Sequence, residues 1–222
     1  MNRQEMAKLF DLSALAPNTS YGDILHLCNS AKELGCGVVC VSPCHVELAY
    51  GQVKDTPIRV CSVIGYPFGT TTTEVKAAEA KQAVDNGAEE LDMVMNISAL
   101  LSADYDLVAR DIRAVVEAAP QAIVKVIIEV TLLDDEQKKT ACRICAQSGA
   151  HFVKTCTGVS SNMVTVDDVR LIKESIPPGM QIKATGGIRT YEKAVSLIEA
   201  GATRLATAEK YVREILAKCK TE

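Results

Sequence analysis

The sequence has few aromatic residues and lacks any segment suited to export or to a membrane. It contains no Trp, three Phe and six Tyr among 222 residues, so its core must be built from aliphatic side chains, which suits the Val, Ile and Leu interior of a parallel barrel. The N-terminal stretch MNRQEMAKLF has no apolar signal region, and no run approaches the roughly 18 apolar residues of a membrane span. We therefore expect a cytoplasmic protein without a membrane partner.

The sequence also lacks a basic stripe and a recognisable metal-binding pattern. Its formal charge of -4 is small, and its 24 Lys and Arg residues are scattered along the chain. Such a distribution offers no electrostatic footprint for nucleic acid. The nine cysteines are an odd number spread through predicted strands and helices, without His partners at metal-ligand spacing. We therefore expect no metal site, no disulfide framework and a reducing compartment.

Four helix-like stretches end in Gly and are followed at once by an apolar stretch. The glycines are Gly35, Gly87, Gly149 and Gly201, in the segments LGCGVVCVS, NGAEELDMV, SGAHFVKT and AGATRLAT. Gly is favoured just past the end of a helix, where the backbone needs a positive φ. The intervals between these glycines are long enough for two strand-helix units, so each should contain one further strand.

Four further apolar stretches complete a predicted set of eight strands. They are LFDLSAL, IRVCSVIG, AIVKVIIEV and MQIKAT. Helical patterns lie between the strands, for example the apolar series Val108, Ile112 and Val115. This alternation predicts one α/β domain over residues 1–222, a closed (β/α)8 TIM barrel with a short N-terminal helix. An open, doubly wound sheet is the alternative.

Two lysines and an aspartate are expected at strand ends, where barrel enzymes keep their active sites. Lys154, in HFVKTCTG, and Lys183, in MQIKATGG, follow adjacent strands, which lie about 4.8 Å apart. Repulsion between two ammonium groups and partial burial both favour a free amine, which attacks a carbonyl to form an iminium. Asp92, in EELDMVMN, is predicted to shuttle protons. Together they predict a Schiff-base aldolase.

Lys125 is predicted to point into the barrel as well, because it alternates in step with Ile127 and Glu129. An inward charge needs a partner, and we expect Asp92 or Glu129 to supply it. Taken singly, each strand-end lysine has an ordinary alternative as a solvated rim residue or an ion-pair member. Asp92 taken singly has the alternative of capping the next helix.

Glycines after the sixth and seventh strands predict an anion site. Gly158 follows the sixth strand, Gly186 and Gly187 follow the seventh, and a helix begins shortly after each. Backbone N–H groups and helix N-termini in such places bind phosphate. Gly-Gly before a helix is also ordinary turn chemistry, so this segment alone does not decide the matter.

Several long segments resemble the deoxyribose-phosphate aldolase family over essentially the whole chain. They are VCVSP, CSVIGYPFGTTTTEVKAAEA, EELDMVMNISAL, VKVIIEVTLL, HFVKTCTG, IKATGGIRTYEKA and AGATR. The resemblance implies reversible cleavage of 2-deoxyribose 5-phosphate to acetaldehyde and glyceraldehyde 3-phosphate, without a metal or an organic cofactor. It also implies a small-molecule aldehyde or sugar phosphate as the partner, and a homodimer or homotetramer.

The resemblance also implies roles for individual residues. Lys154 is similar to the Schiff-base lysine, and Lys183 to a second lysine that lowers its pKa. Asp92 with Lys125 resembles the proton relay. The remaining predicted site residues are Asp11, Ser13, Cys40, Thr155 and Thr157 for the substrate, and Gly158, Gly186, Gly187 and Arg189 for its phosphate.

The segment after the eighth strand departs from the family pattern. A Gly-x-Ser-Ser type segment usually holds the phosphate there, whereas LATAEKY places Ala206, Ala208 and Glu209 in that region. The change removes hydroxyl donors and adds a negative charge, which Lys210 or Arg189 would partly offset. Two alternatives therefore stay open: an acetaldehyde-dependent aldolase for a non-phosphorylated aldehyde or sugar, and a non-catalytic sugar-binding barrel.

Overall fold

The computed structural model describes residues 1–159 and 163–219 and shows a closed barrel of eight parallel strands. The strands follow one another around the barrel in chain order, and β1 closes onto β8. This confirms the predicted (β/α)8 barrel over the open sheet. The strands are β1 (Phe10–Ala14), β2 (Val38–Val41), β3 (Arg59–Ile64), β4 (Glu90–Val94), β5 (Ile123–Ile127), β6 (Phe152–Lys154), β7 (Gln181–Thr185) and β8 (Arg204–Thr207).

Helices surround the strands, and the predicted short N-terminal helix precedes β1. The capping box between Asn2 and Glu5 starts that helix. The helices are α1 (Arg3–Lys8), α2 (Tyr21–Leu34), α3 (Val46–Val53), α4 (Thr73–Asp85), α5 (Ile97–Leu101), α6 (Tyr105–Ala118), α7 (Asp135–Gln147), α8 (Val166–Ser175), α9 (Tyr191–Glu199) and α10 (Glu209–Ala217), with short 3-10 turns at Pro43–His45 and Val130–Leu132. In the described part of the chain, no helix has the length and apolar character needed to cross a bilayer.

The four predicted helix-ending glycines all have positive φ. The values are 76° at Gly35, 107° at Gly87, 85° at Gly149 and 120° at Gly201. In this region a side chain strains the backbone, so glycine ends each helix and lets the chain enter the next strand.

Strand residues alternate between the helix layer and the barrel interior. On β4, Leu91 and Met93 belong to the aliphatic core between strands and helices, whereas Glu90 and Asp92 point inward and are fully buried. The core is thus aliphatic, as expected, but it lies mainly between the strands and the helices rather than inside the barrel. Apolar packing stabilises the contact between strands and helices, and charged side chains fill much of the barrel itself.

Candidate active site

The structure brings Lys154, Lys183 and Asp92 together at the centre of the barrel. Lys154 and Lys183 are register partners on β6 and β7, as the sequence predicted. The Nζ atoms of Lys154 and Lys183 lie 2.7 Å and 2.6 Å from the same oxygen, Oδ2 of Asp92. One carboxylate on β4 thus reaches across the barrel to both lysines.

Lys125 lies on the other side of Asp92. Its Nζ is 3.0 Å from Oδ1 of Asp92 and 2.6 Å from Oε2 of Glu90. The alternative partner, Glu129, is used elsewhere: it stands at a positive φ of 47°, and its Oε2 accepts a hydrogen bond from the backbone N–H of Thr157 at 2.9 Å. Lys125 therefore pairs with Asp92, and Glu129 holds the loop after β6.

Asp11 and Arg204 extend this group of charges below the lysines. Asp11 contacts Nζ of Lys183 at 2.5 Å and the Arg204 guanidinium at 2.8 Å, and Arg204 contacts Glu90 at 3.2 Å. We call the whole set the buried charge cluster: Asp11, Glu90, Asp92, Lys125, Lys154, Lys183 and Arg204. The sequence reasoning missed Glu90 and Arg204. Glu90 had a usable signal, because it lies two residues before Asp92 and so on the same strand face.

The electrostatics of the cluster hold most of its groups in their charged forms. Burial raises the pKa of Asp92, but Lys125, Lys154 and Lys183 outweigh burial and leave it well below its ordinary value. Burial lowers the pKa of Lys183, yet Asp11 and Asp92 raise it well above its ordinary value. Asp92 is therefore a carboxylate and Lys183 an ammonium.

Charge balance distinguishes Lys154 from the other cations of the cluster. Lys125, Lys183 and Arg204 each contact two of the carboxylates, whereas Lys154 contacts Asp92 alone. The cluster holds three carboxylates, so a neutral Lys154 amine leaves three positive and three negative charges. Arg59, half exposed beneath the cluster, also contacts Glu90, at 3.3 Å, and solvent screens its charge. Because an uncompensated buried charge costs several kcal/mol, Lys154, which has a single carboxylate partner, is the least compensated cation of the cluster.

A cavity of about 500 Å³ opens at the C-terminal ends of the strands, above the cluster. Ser13, Thr185 and Ala206 line it, and they lie two residues beyond Asp11, Lys183 and Arg204 on the same strand faces. The cavity floor is thus one side-chain layer above the charges. The predicted residues that line this cavity are Ser13, Thr157, Gly158, Gly186, Gly187 and Arg189.

Three of the predicted substrate residues do not line the cavity. Asp11 lies inside the charge cluster, and Cys40 lies beside Asp92, with Sγ 4.0 Å from Oδ2. The Thr155 hydroxyl is buried between strands, where it donates to the Thr185 carbonyl at 2.8 Å and accepts from the Thr185 N–H at 2.9 Å. Thr185, which the sequence reasoning missed, lines the cavity, and its buried Oγ1 has no hydrogen-bond partner among the described residues.

Glu209 does not add its charge to the cavity, contrary to the expectation from the sequence. Its carboxylate turns toward α2, where it contacts His26 at 3.0 Å and accepts from the Ser30 hydroxyl at 2.9 Å. Arg213, one turn later on α10, pairs with it at 2.8 Å. The carboxylate is thus compensated on the outer surface, and Ala208, which precedes α10, faces the cavity instead.

Comparison with known proteins gives close matches over nearly the whole chain. Residues 3–210 match the DeoC/LacD family of aldolases. A deoxyribose-phosphate aldolase of Thermococcus kodakarensis is 49% identical over 94% of this chain and 95% of its own, and one of Clostridium kluyveri is 44% identical over 94% and 96%. The solved deoxyribose phosphate aldolase of Aeropyrum pernix, described as tetrameric, is 31% identical and superposes with a TM-score of 0.88, covering 97% of this chain and 91% of that one.

Proposed function

Because this chain belongs to the DeoC/LacD family of aldolases, we propose that it reversibly cleaves 2-deoxy-D-ribose 5-phosphate to acetaldehyde and D-glyceraldehyde 3-phosphate. The observation that carries the proposal is the position of Lys154. Its amine lies 2.7 Å from a buried carboxylate that three lysines share, in a cluster that balances its charge when this one amine is neutral. Such an amine is a nucleophile for an aldehyde.

The reaction begins when the Lys154 amine attacks C1 of the open-chain sugar. Loss of water from the carbinolamine gives an iminium, and Asp92, bonded to Lys154, moves the protons that this step needs. When the C3 hydroxyl loses its proton, the C2–C3 bond breaks and its electrons enter the iminium to form an enamine. Glyceraldehyde 3-phosphate leaves, C2 takes up a proton, and water releases acetaldehyde from Lys154. Lys125 and Lys183 keep Asp92 charged between these transfers.

The phosphate is proposed to bind at the far end of the cavity. Gly158, Gly186 and Gly187 have positive φ there, so their backbones lie close to the cavity without side chains in the way. The Arg189 guanidinium lies 5.7 Å from the centre of the Tyr211 ring and supplies positive charge. The N-terminus of α10 has no side-chain cap, so its first N–H groups are available to an anion in place of the absent Ser hydroxyls.

Arg189→Gln is expected to weaken binding of the phosphorylated sugar and leave 2-deoxyribose unaffected. A hydrogen bond to a charged group contributes about 1.5 to 3 kcal/mol, so KM for the phosphate ester should rise roughly 10- to 100-fold. Glu209→Gln is the matched control and should leave KM unchanged, because that carboxylate faces α2. Steady-state kinetics on both sugars measures these effects. Equal kcat/KM for the two sugars in the wild type would favour the aldolase for non-phosphorylated substrates.

Asp92→Asn is expected to separate Schiff-base formation from turnover. The amide cannot relay a proton, so kcat should fall about 100-fold or more. The substitution leaves the Lys154 amine in place, and a slow adduct with acetaldehyde should therefore still be trapped by borohydride on Lys154. Mass mapping after long incubation measures the adduct, with circular dichroism as the folding control. A folded variant with full turnover would exclude Asp92 from proton transfer.

We also propose the assembly and the cellular setting. Residues 1–222 are proposed to form one aldolase domain that works in the cytoplasm as a homodimer or homotetramer. The tetrameric relative from Aeropyrum pernix supports an oligomer of this chain. The proposed substrate is a small sugar phosphate, and the reaction as written requires no cofactor.

A further inference from the structure

Two cysteines lie side by side inside the barrel, next to Asp92. Cys40 on β2 and Cys61 on β3 are register partners, and both are fully buried. The two Sγ atoms and a carboxylate oxygen of Asp92 all lie within 4.8 Å of one another. Among the described residues, no other three Cys, His, Asp or Glu side chains come together in this way. The proposed aldol reaction leaves Cys61 without a role.

We propose that Cys40, Cys61 and Asp92 form an inhibitory binding site for a thiophilic divalent cation such as Zn²⁺ or Cd²⁺, with water as the fourth ligand. Zinc binds thiolate at about 2.3 Å and carboxylate at about 2.0 to 2.2 Å, which places ligand atoms of a tetrahedral site roughly 3.5 to 3.8 Å apart. Sγ of Cys40 is already 4.0 Å from Oδ2 of Asp92. The other ligand atoms lie within 4.8 Å of one another, so side-chain movements of no more than about 1 Å complete the site.

The charges around Cys40 and Cys61 permit one divalent cation to replace the two thiol protons. When the ion binds, each thiol loses its S–H proton and forms an S–metal bond, and the two protons leave to solvent. One divalent cation replaces two protons, so the net charge of the region does not change. Nζ of Lys125 lies 3.6 Å from Sγ of Cys61, where it stabilises a thiolate.

The ion reaches this site by the route that the substrate takes. Cys40 and Cys61 belong to a small buried cluster with Val38 and Val63, and the cavity-lining residues Leu15 and Tyr66 pack against that cluster. The substrate carbonyl must come to Nζ of Lys154, which contacts the same Asp92 oxygen that Cys40 approaches. A bound ion takes that oxygen away from the lysines and therefore stops proton transfer. Binding of the ion does not depend on the proposed aldolase function. Only the inhibition rests on that function.

The other cysteines supply controls. Cys142 and Cys145 have the CxxC spacing on α7, but both lie in the aliphatic core and belong to no three-ligand group within the described residues. Cys44 is an exposed thiol. Cys44→Ala therefore removes an accessible thiol and leaves the proposed site intact, whereas Cys61→Ala removes one proposed ligand and leaves every proposed reaction residue intact.

Titration of the full-length enzyme with Cd²⁺ tests the proposal. The ultraviolet charge-transfer band of Cd²⁺-bound thiolate should reach its plateau at one equivalent in the wild type and in Cys44→Ala. Aldolase activity should fall in step with that band, and EDTA should restore it. Cys61→Ala, or the isosteric Cys61→Ser if the alanine variant folds poorly, should bind Cd²⁺ at least about 10-fold more weakly, which is the low end for a disturbed metal site.

The outcomes that count against the site are distinct from those that count against the enzyme. An unchanged band and unchanged inhibition in the Cys61 variants would place the ion elsewhere and overturn the proposal. Absence of the band in the wild type would do the same. If the band depends on Cys61 but the metal-free wild type shows no aldolase activity, the metal site stands and the proposed function fails.

Discussion

Lys154→Ala is expected to abolish both turnover and covalent capture of acetaldehyde. The amine supplies the covalent bond through which the C2–C3 bond breaks, and a well-oriented intramolecular nucleophile has an effective concentration of about 10⁵ M or more. We therefore expect kcat/KM to fall by about 10⁵-fold. Borohydride reduction in the presence of acetaldehyde, followed by mass mapping, should give a labelled Lys154 peptide in the wild type and none in the variant.

Lys139→Ala is a suitable control for that experiment. Lys139 is half exposed on α7 and pairs with Glu136, outside the buried charge cluster. Its loss should change neither the adduct nor the rate. If the Lys154 variant kept its turnover and formed an adduct on Lys183, the nucleophile would be Lys183, on the neighbouring strand. Absence of any adduct in the wild type would favour the non-catalytic sugar-binding barrel.

Lys183→Leu is expected to lower kcat/KM by about 10³-fold at pH 7 and to move the activity profile to higher pH. The variant keeps three carboxylates but only two cations besides Lys154, so the charges of the cluster balance only when Lys154 is an ammonium. An ordinary lysine, with a pKa of about 10.4, is unprotonated in only about one molecule in 10³ at pH 7. The reactive form is the free amine, and its fraction rises with pH, so the rate should recover toward alkaline pH.

Arg204→Met separates two explanations of that result. If repulsion from the adjacent ammonium alone frees Lys154, only the Lys183 variant should shift the pH profile. If the balance of the whole cluster frees it, Arg204→Met should shift the profile in the same direction, because Arg204 compensates Asp11 and Glu90. Thermal unfolding of each variant checks that the barrel is intact. An unchanged profile in both variants would show that the charge balance of the cluster does not control the reactivity of Lys154.

The alternation of strands and helices along the sequence predicted the fold, and the fold in turn predicted that Lys154 and Lys183 are neighbours. Eight apolar stretches with intervening helices close into a parallel barrel, and consecutive strands are neighbours in it. Lys154 and Lys183, at matching places on consecutive strands, therefore had to lie side by side. The positive φ of the predicted glycines followed from the same pattern, because the residue just after a helix commonly adopts a left-handed conformation that favours glycine.

The sequence by itself thus determined the barrel, the lysine pair and the side of the barrel on which the site lies. Only the tertiary structure decided which charges pair across the interior. Side chains alternate in direction along a strand, which predicts that Asp11, Glu90 and Asp92 point inward. Their ion-pair partners, such as Arg204, come from strands far apart in the chain. Cys40 and Cys61 lie on consecutive strands, and the strand register makes them partners. A long side chain such as Glu209 also has several partners within reach, and the packing of α2 against α10, rather than its place in the sequence, turned it away from the cavity.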